Sequence, residues 1–316
     1  MTDGVKTDAA ATARRMWALF EPVHVISYFA PSAREAFEQA GLRGFWRGYF
    51  AGRTAPIGAV GAGPVVASFF SFAPAMVARA VPGVWDLVTP AGALAAREAG
   101  AVTALRTLLD LGDDEVPPTV SAAADRLAAM VTGIGCAGRT LGAANAVLPV
   151  PSEPLARLWH AATVLREHRG DGHIAALVAA DIDAPEALAL RAGVDLAASG
   201  EHSHVSAGWS RAQMLPARGW SDAEWDAAAA RLTGRGLLGP DGVATEAGVA
   251  LHADIEYATD VAAARPWAGL GDDEARELAD LLLPVARACA HVLPVPNPVG
   301  VPAPAASTAA SAAASS

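Results

Sequence analysis

Apolar residues recur at three- and four-residue spacing along most of this chain, the signature of amphipathic helices. Trp17, Phe20, Val23, His24 and Phe29 mark the first such face, with Pro22 delaying or kinking the helix. Ser32 is suited to cap a helix over 32–40 that Gly41 closes. Further helices are predicted over 45–51, 65–80, 91–109 and 121–146, the last with Gly133, Gly135 and Gly138 permitting close packing. The acidic stretch 112–118 ends in two prolines and reads as an exposed connection. Pro149, Pro151 and Pro154 mark a domain boundary. Helices over 155–169, 173–181 and 185–192 follow, then an inserted stretch over 195–219 and a helix opened by Ser221. The pattern predicts a disordered terminus over 1–12, a helical domain over 13–148, a second domain over 155–292 and a disordered Pro/Ala/Ser tail over 293–316.

The strongest local pattern is W-S-D-A-E-W-D-A-A-A-A-R-L-T-G-R-G-L-L-G-P-D-G-V-A-T-E-A-G over 220–248. A helix ends in Arg-Gly-Leu-Leu, a Pro-Asp-Gly turn follows, and Thr-Glu opens another helix. That order of helix, hairpin and helix predicts an all-α protein with a small β-hairpin wing, an N-terminal helical domain joined to a winged helix-turn-helix-like domain. The helix that would enter a DNA groove nevertheless begins with Asp222, Glu224 and Asp226, and its bases, Arg231 and Arg235, stand near the far end.

Composition sharpens that conflict. The chain has 316 residues, 53% of them hydrophobic, with a formal net charge of −10 and a pI near 5.2. Lys6 is the only lysine. Phosphate binding needs clustered bases, so nucleic acid and anionic membranes are disfavoured partners. The uncharged stretch between Arg53 and Arg79 is long enough to cross a bilayer. However, Pro56, Gly58, Gly61, Gly63, Pro64 and Pro74 interrupt the backbone bonding that lipid demands, so a buried loop and core helix are expected instead. Cys136 and Cys289 make no disulfide framework, and the first ten residues lack the apolar core of a signal peptide; the expected location is the cytoplasm.

Three groups of residues invite chemistry. The first is R-E-H-R-G-D-G-H, from Arg166 to His173, with His160 before it. On one helix, His160, Glu167 and Asp171 fall within about 20° of a common face, with His168 to one side. Gly170 and Gly172 are expected to end that helix, leaving Asp171 and His173 in a tight turn. Such a group suits a ligand cage or a His–carboxylate proton relay, or an ion-pair network that locks the turn. The second is Glu21-Pro-Val-His24, an i, i+3 pair of the kind found in helix-bundle metal sites, but no second Glu-x-x-His exists to complete one, and no metal is expected. The third is Trp46, Arg47, Tyr49 and Arg53, where arginines flank an aromatic pair able to hold a carboxylate or a flat ring. Together with Glu21, His24 and Tyr28 these residues could line a small-molecule pocket between helices. Glu201, His202, Ser203 and His204 form a polar stretch in the insertion, too sparse for a strong metal site. No nucleophile–base–acid order and no cofactor motif can be defended, so neither catalytic residues nor a cofactor is named.

Several stretches together resemble the actinobacterial SalK-like helix-turn-helix family: 16–24, 45–53, 72–80, 158–177 and 220–248, so that the resemblance spans 14–267. It implies a fold and little chemistry. The C-terminal half is also similar to MarR-type regulators in its hairpin, departing from them where they touch DNA. The favoured reading is a small-molecule-binding protein whose degenerate recognition helix has become a structural or homodimerising module. The alternatives are an enzyme of actinobacterial secondary metabolism with a polar pocket between the helical domains, and a MarR-like ligand-responsive regulator.

Overall fold

The structure, a computed structural model, describes residues 9–112, 115–198, 210–294, 300, 301 and 304. The termini expected to be disordered, and Glu201 to His204, lie largely or wholly outside the described residues.

Two long helices organise the rest. One is α1 (Ala9–Phe29), which continues through Pro22 and buries Met16, Phe20, Val23 and Ile26. Next come α2 (Pro31–Gln39), α3 (Phe45–Thr54), α4 (Ala62–Phe69), α5 (Pro74–Ala78), α6 (Pro90–Leu108), α7 (Pro118–Val131) and α8 (Thr140–Ala146). The second long helix, α9 (Pro154–Ala179), precedes α10 (Ala184–Ala198), α11 (Arg211–Arg218), α12 (Asp222–Gly234), α13 (Glu246–Ala262) and α14 (Asp272–Ala290). Side chains of α1, α6, α7, α9 and α14 share one core, in which Phe20, Leu105, Leu127, Leu158, Trp159 and Leu282 are almost wholly enclosed. A second core gathers Phe37, Phe50, Phe69, Phe72 and Leu141, and a third gathers Leu190, Trp225, Leu232 and Ile255. Each such side chain contributes roughly 1.5–3 kcal/mol by leaving water.

Several local expectations change. The first turn of α2 begins at Pro31, so Ser32 is no cap; its hydroxyl donates to the Gly100 carbonyl at 3.1 Å, where α2 and α6 nearly touch. A Cβ at Gly100 would sit 2.7 Å from the Ala33 Cα, which explains the glycine. The helix expected over 121–146 is broken into α7 and α8, with Gly133 and Gly138 at positive φ between them. Conversely, α9 does not stop at Gly170 or Gly172 but runs on to Ala179, keeping Asp171 and His173 helical. Gly172 serves packing: a Cβ there would meet Arg139 Nη1 at 2.6 Å and the Ala262 Cβ at 3.1 Å.

The expected β-hairpin wing is absent. The described residues contain no β-strand; between α12 and α13 there is a single antiparallel bridge, Leu238 to Ala244. Leu237 and Leu238 are drawn into the third core, while Thr245 already caps α13 by accepting the Gly248 N–H at 3.1 Å. Only Val243 and Ala244 remain for a returning arm, and Pro240 has no N–H to give. The described residues are all-α, and α11, a short turn and α12 follow one another directly in the chain.

Candidate functional site

The interior facing α1, α3 and α9 is polar. Glu167 on α9, 1% exposed, accepts hydrogen bonds from Arg53 Nε at 2.9 Å and Arg53 Nη2 at 2.8 Å, a forked pair between residues 114 positions apart. Arg166 Nη1 donates to the same carboxylate at 2.7 Å and its Nε reaches Glu21 Oε1 at 3.4 Å. The Trp17 indole donates to Glu21 Oε2 at 3.1 Å. Arg53 also donates to the Tyr49 hydroxyl at 3.0 Å and lies over the Phe69 ring at 4.1 Å.

His24 adjoins this network. Its Nε2 is 2.6 Å from the Tyr28 hydroxyl and its Nδ1 3.0 Å from Thr163 Oγ1, while Trp159 Nε1 donates to its carbonyl at 3.2 Å. Burial, then the positive charge of Arg166, holds the His24 imidazole well below its ordinary pKa, so it is neutral at pH 7. A neutral ring between two hydroxyls must accept from one and can donate to the other. Burial alone would raise the Glu167 carboxyl, but Arg166 and Arg53 outweigh it and keep Glu167 far below the usual carboxylate range. Glu21 goes the other way, raised by burial against a weaker pull from Arg166.

The network reaches solvent through two tyrosines. Tyr28 and Tyr49, ring centroids 4.9 Å apart, line a small open cleft whose enclosed space is about 20 Å³, together with Phe37, Phe45, Gly48 and Arg34. The cleft is formed by α1, α2 and α3. Trp46 packs behind it in an aromatic cluster with Tyr49, Phe50 and Phe72, and Arg47 is exposed on the outer face of α3.

Thus Glu21, His24, Tyr28, Tyr49, Arg53, Arg166 and Glu167 converge. The remaining expected residues do not join them. His160 is buried near Arg97 and burial lowers its pKa to about 4; His168, lowered to about 4 by burial and then by Arg139, sits beside the Gly135 backbone. Asp171 accepts the Gly142 N–H at 2.8 Å and so caps α8 from the neighbouring helix, with burial pushing its carboxyl up to about 6. His173 bonds Thr259 at 2.9 Å on α13, within a separate cluster where Asp260 pairs with Arg169 at 2.7 Å and Arg14 at 3.0 Å. Among the described residues no group of three or more His, Cys, Asp or Glu is arranged to hold a metal ion.

Sequence reasoning missed Arg97, Thr163 and Trp159. Arg97, 5% exposed, donates to the Gly52 carbonyl at 3.0 Å and to Asn145 Oδ1 at 3.2 Å, and lies over Trp159 at 5.1 Å; its Nε has no hydrogen-bond partner. A basic residue within an alanine-rich helix was its one legible signal.

The helices α11 and α12 present a different surface. Ser221 caps α12 and Glu224 bonds back to the Ser221 N–H at 2.8 Å, a capping box that keeps carboxylates at the tip. Arg211 is held by Asp222 at 2.7 Å and Asp226 at 2.6 Å. Arg231 is bound to Glu186 at 2.8 Å and to Asp183, and Arg235 donates to the Asp181 carbonyl at 2.6 Å. Arg231 and the C-cap residue Arg235 are therefore committed to the turn between α9 and α10 and to the first turn of α10.

Residues 13–296 match the profile of a helix-turn-helix family, and the chain belongs to that family. No curated protein and no solved structure gives a match. Among the described residues no helix is long and apolar enough to cross a membrane.

Proposed function

We propose that this helix-turn-helix protein, of the SalK-like branch suggested by its sequence, binds a small molecule at the cleft beside Tyr28 and Tyr49 and does not read DNA through α12. The observation that carries the reading is the polar network behind those two rings. Seven ionisable or hydroxyl-bearing groups from α1, α3 and α9 converge there, a buried titratable cluster of the kind that gathers at functional sites. The case against DNA rests on charge: the exposed tip of α12 carries Asp222, Glu224 and Asp226, and its arginines already serve internal carboxylates and carbonyls. A duplex approaching that tip would meet repulsion with no counterions to release.

Native mass spectrometry of the full chain purified from its own host tests the first half, a retained small molecule being the expected result. Absence of any adduct, together with unchanged tryptophan emission across a fragment library, would count against it. For the second half, capture of genomic DNA fragments at low salt should be weak and unselective; tight, sequence-selective capture would overturn it.

One observation favours a second reading, an enzyme. The short contact between Tyr28 and neutral His24 is a proton path from the cleft to Thr163. Turnover abolished by Tyr28→Phe with retained binding would select it.

A further inference from the structure

We propose that the seam between the two halves of this chain is a homodimer-type interface closed within one molecule. The residues up to Pro151 and those from Pro154 are two copies of one unit, each completing the other. The partner that this surface fits is the chain's own other half, and the protein is a monomer in solution.

The sequence carries the repeat at three places, in the same order. Arg15-Met16-Trp17 lies in α1, and Arg157-Leu158-Trp159 lies in α9. Thr89-Pro90-Ala91-Gly92 opens α6, and Thr245-Glu246-Ala247-Gly248 opens α13. Each threonine caps its helix by accepting the N–H of the glycine three places on, at 3.1 Å in both. Val147-Leu148-Pro149-Val150-Pro151 follows α8, the last helix of the first half, and Val292-Leu293-Pro294-Val295-Pro296 follows α14, the last of the second. One such match alone would carry nothing; three in one order, at matching places in the fold, make a tandem copy.

The packing repeats with the sequence. α1 lies against α9, and each crosses to the closing helices of the other half, α1 to α14 and α9 to α7. In the same way α13 touches α1 and α6 touches α9. α7 and α14 meet each other, with Arg126 and Glu277 3.1 Å apart. Exchanged roles of this kind, where one unit contacts its partner as the partner contacts it, are the pattern of a two-fold dimer.

The cores divide accordingly. The buried members of the second core all come from the first half, and those of the third core all come from the second half. The largest core belongs to neither: Phe20, Leu105 and Leu127 of one half enclose it with Trp159, Leu278 and Leu282 of the other. Each half also reaches into its neighbour's own core, Phe70 into the third and Trp220 into the second, where the Trp220 indole donates to the Ser71 carbonyl at 2.9 Å. A seam whose centre is a continuous apolar core is of the obligate kind. A second chain would find those faces already filled. The copies differ between the α3–α6 span, which holds α4 and α5, and the second half, which holds α11 and α12. The described residues therefore present one α11–α12 surface rather than a symmetry-related pair.

A protease site inserted between Pro151 and Ser152, beside the exposed Val147 and Val150, lets the folded full chain be nicked at the junction. The nicked halves should stay together through size-exclusion chromatography with unchanged far-UV circular dichroism. The intact chain should show its monomer mass of 32.1 kDa by light scattering at every concentration. Halves that part in native buffer, or an intact chain that forms a stable dimer, overturn the proposal. A second measurement needs no variant. Hydrogen exchange of the natural chain through a urea titration should show α1, α7, α9 and α14 losing protection together. If α1 and α7 stay protected after α9 and α14 have opened, or the reverse, the shared core does not bind the halves into one unit and the proposal falls.

Discussion

Replacing Glu167 by Gln tests whether the polar interior is held by its charges or only tolerated. The substitution keeps the side chain's shape and one acceptor oxygen but removes the anion that Arg53 and Arg166 share. Three donors now point at it from 2.9, 2.8 and 2.7 Å. After the change Arg53 has no carboxylate, and Arg166 keeps only Glu21 at 3.4 Å. Breaking a buried pair from one side costs roughly 3–5 kcal/mol because the partner's charge is left uncompensated. Arg53→Met removes three charge-assisted bonds, two to Glu167 and one to the Tyr49 hydroxyl, but leaves Glu167 paired with Arg166, so it should cost a similar roughly 3–5 kcal/mol. The double variant should be milder than the sum of the singles by more than about 1 kcal/mol. Urea unfolding at pH 7, followed by tryptophan fluorescence and far-UV circular dichroism, measures all three. Arg126→Gln is the reference, because the half-exposed pair Arg126–Glu277 at 3.1 Å falls in the class of surface pairs contributing about 0.2–1 kcal/mol. If Glu167→Gln costs no more than that reference, or the singles add, the network does not stabilise the fold and the argument from it fails.

Three further outcomes follow from the same geometry. Burial lowers His160 and His168 to about 4, so both stay neutral in the fold while the unfolded chain takes up protons near 6.5. Stability should therefore fall as pH drops from 6.5 toward 4, by up to about 3 kcal/mol for each ring. Asp171, raised to about 6, takes its proton more readily when folded and works in the opposite direction between about 6 and 3.8, offsetting roughly one ring. The melting temperature should thus be clearly lower at pH 4.5 than at pH 7; no drop refutes the burial argument. Gly100→Ala should destabilise by about 1–3 kcal/mol through overpacking, because the new Cβ meets helix backbone that cannot move aside, and a midpoint unchanged in urea would contradict the close crossing of α2 and α6. Finally, Asp222→Asn with Asp226→Asn releases Arg211 and removes two negative charges from α12, so weak, salt-sensitive binding of a random duplex should emerge by fluorescence anisotropy. Equal binding by the parent chain would show that charge is not what keeps DNA away.

Local features of this protein were readable from short stretches of residues. The helical period, the helix opened by Ser221 and the acidic tip of α12 depend on neighbours three or four positions apart, and the structure keeps each of them. Candidate residues were legible too, because Glu167, Arg53, Tyr49 and His24 stand out as polar groups inside apolar faces. Their pairing was not: Arg53 and Glu167 are 114 positions apart, and only the packing of α3 against α9 brings them to 2.8 Å. The same non-local logic overturned the wing, where the third core pulls Leu237 and Leu238 inward and the cap at Thr245 leaves no chain for a strand. Gly170 and Gly172 misled because propensity reads glycine as a terminator, whereas α9 runs on through both and at Gly172 Arg139 and Ala262 press so close that only a missing Cβ fits. Sequence alone therefore determined the helical period of most segments and the acidic tip of α12, since those are set within a turn or two of backbone, but not where each helix begins and ends. Which polar groups meet, and which glycines end a helix rather than let another pass, was decided by tertiary contact, because burial and charge pairing act between residues far apart along the chain.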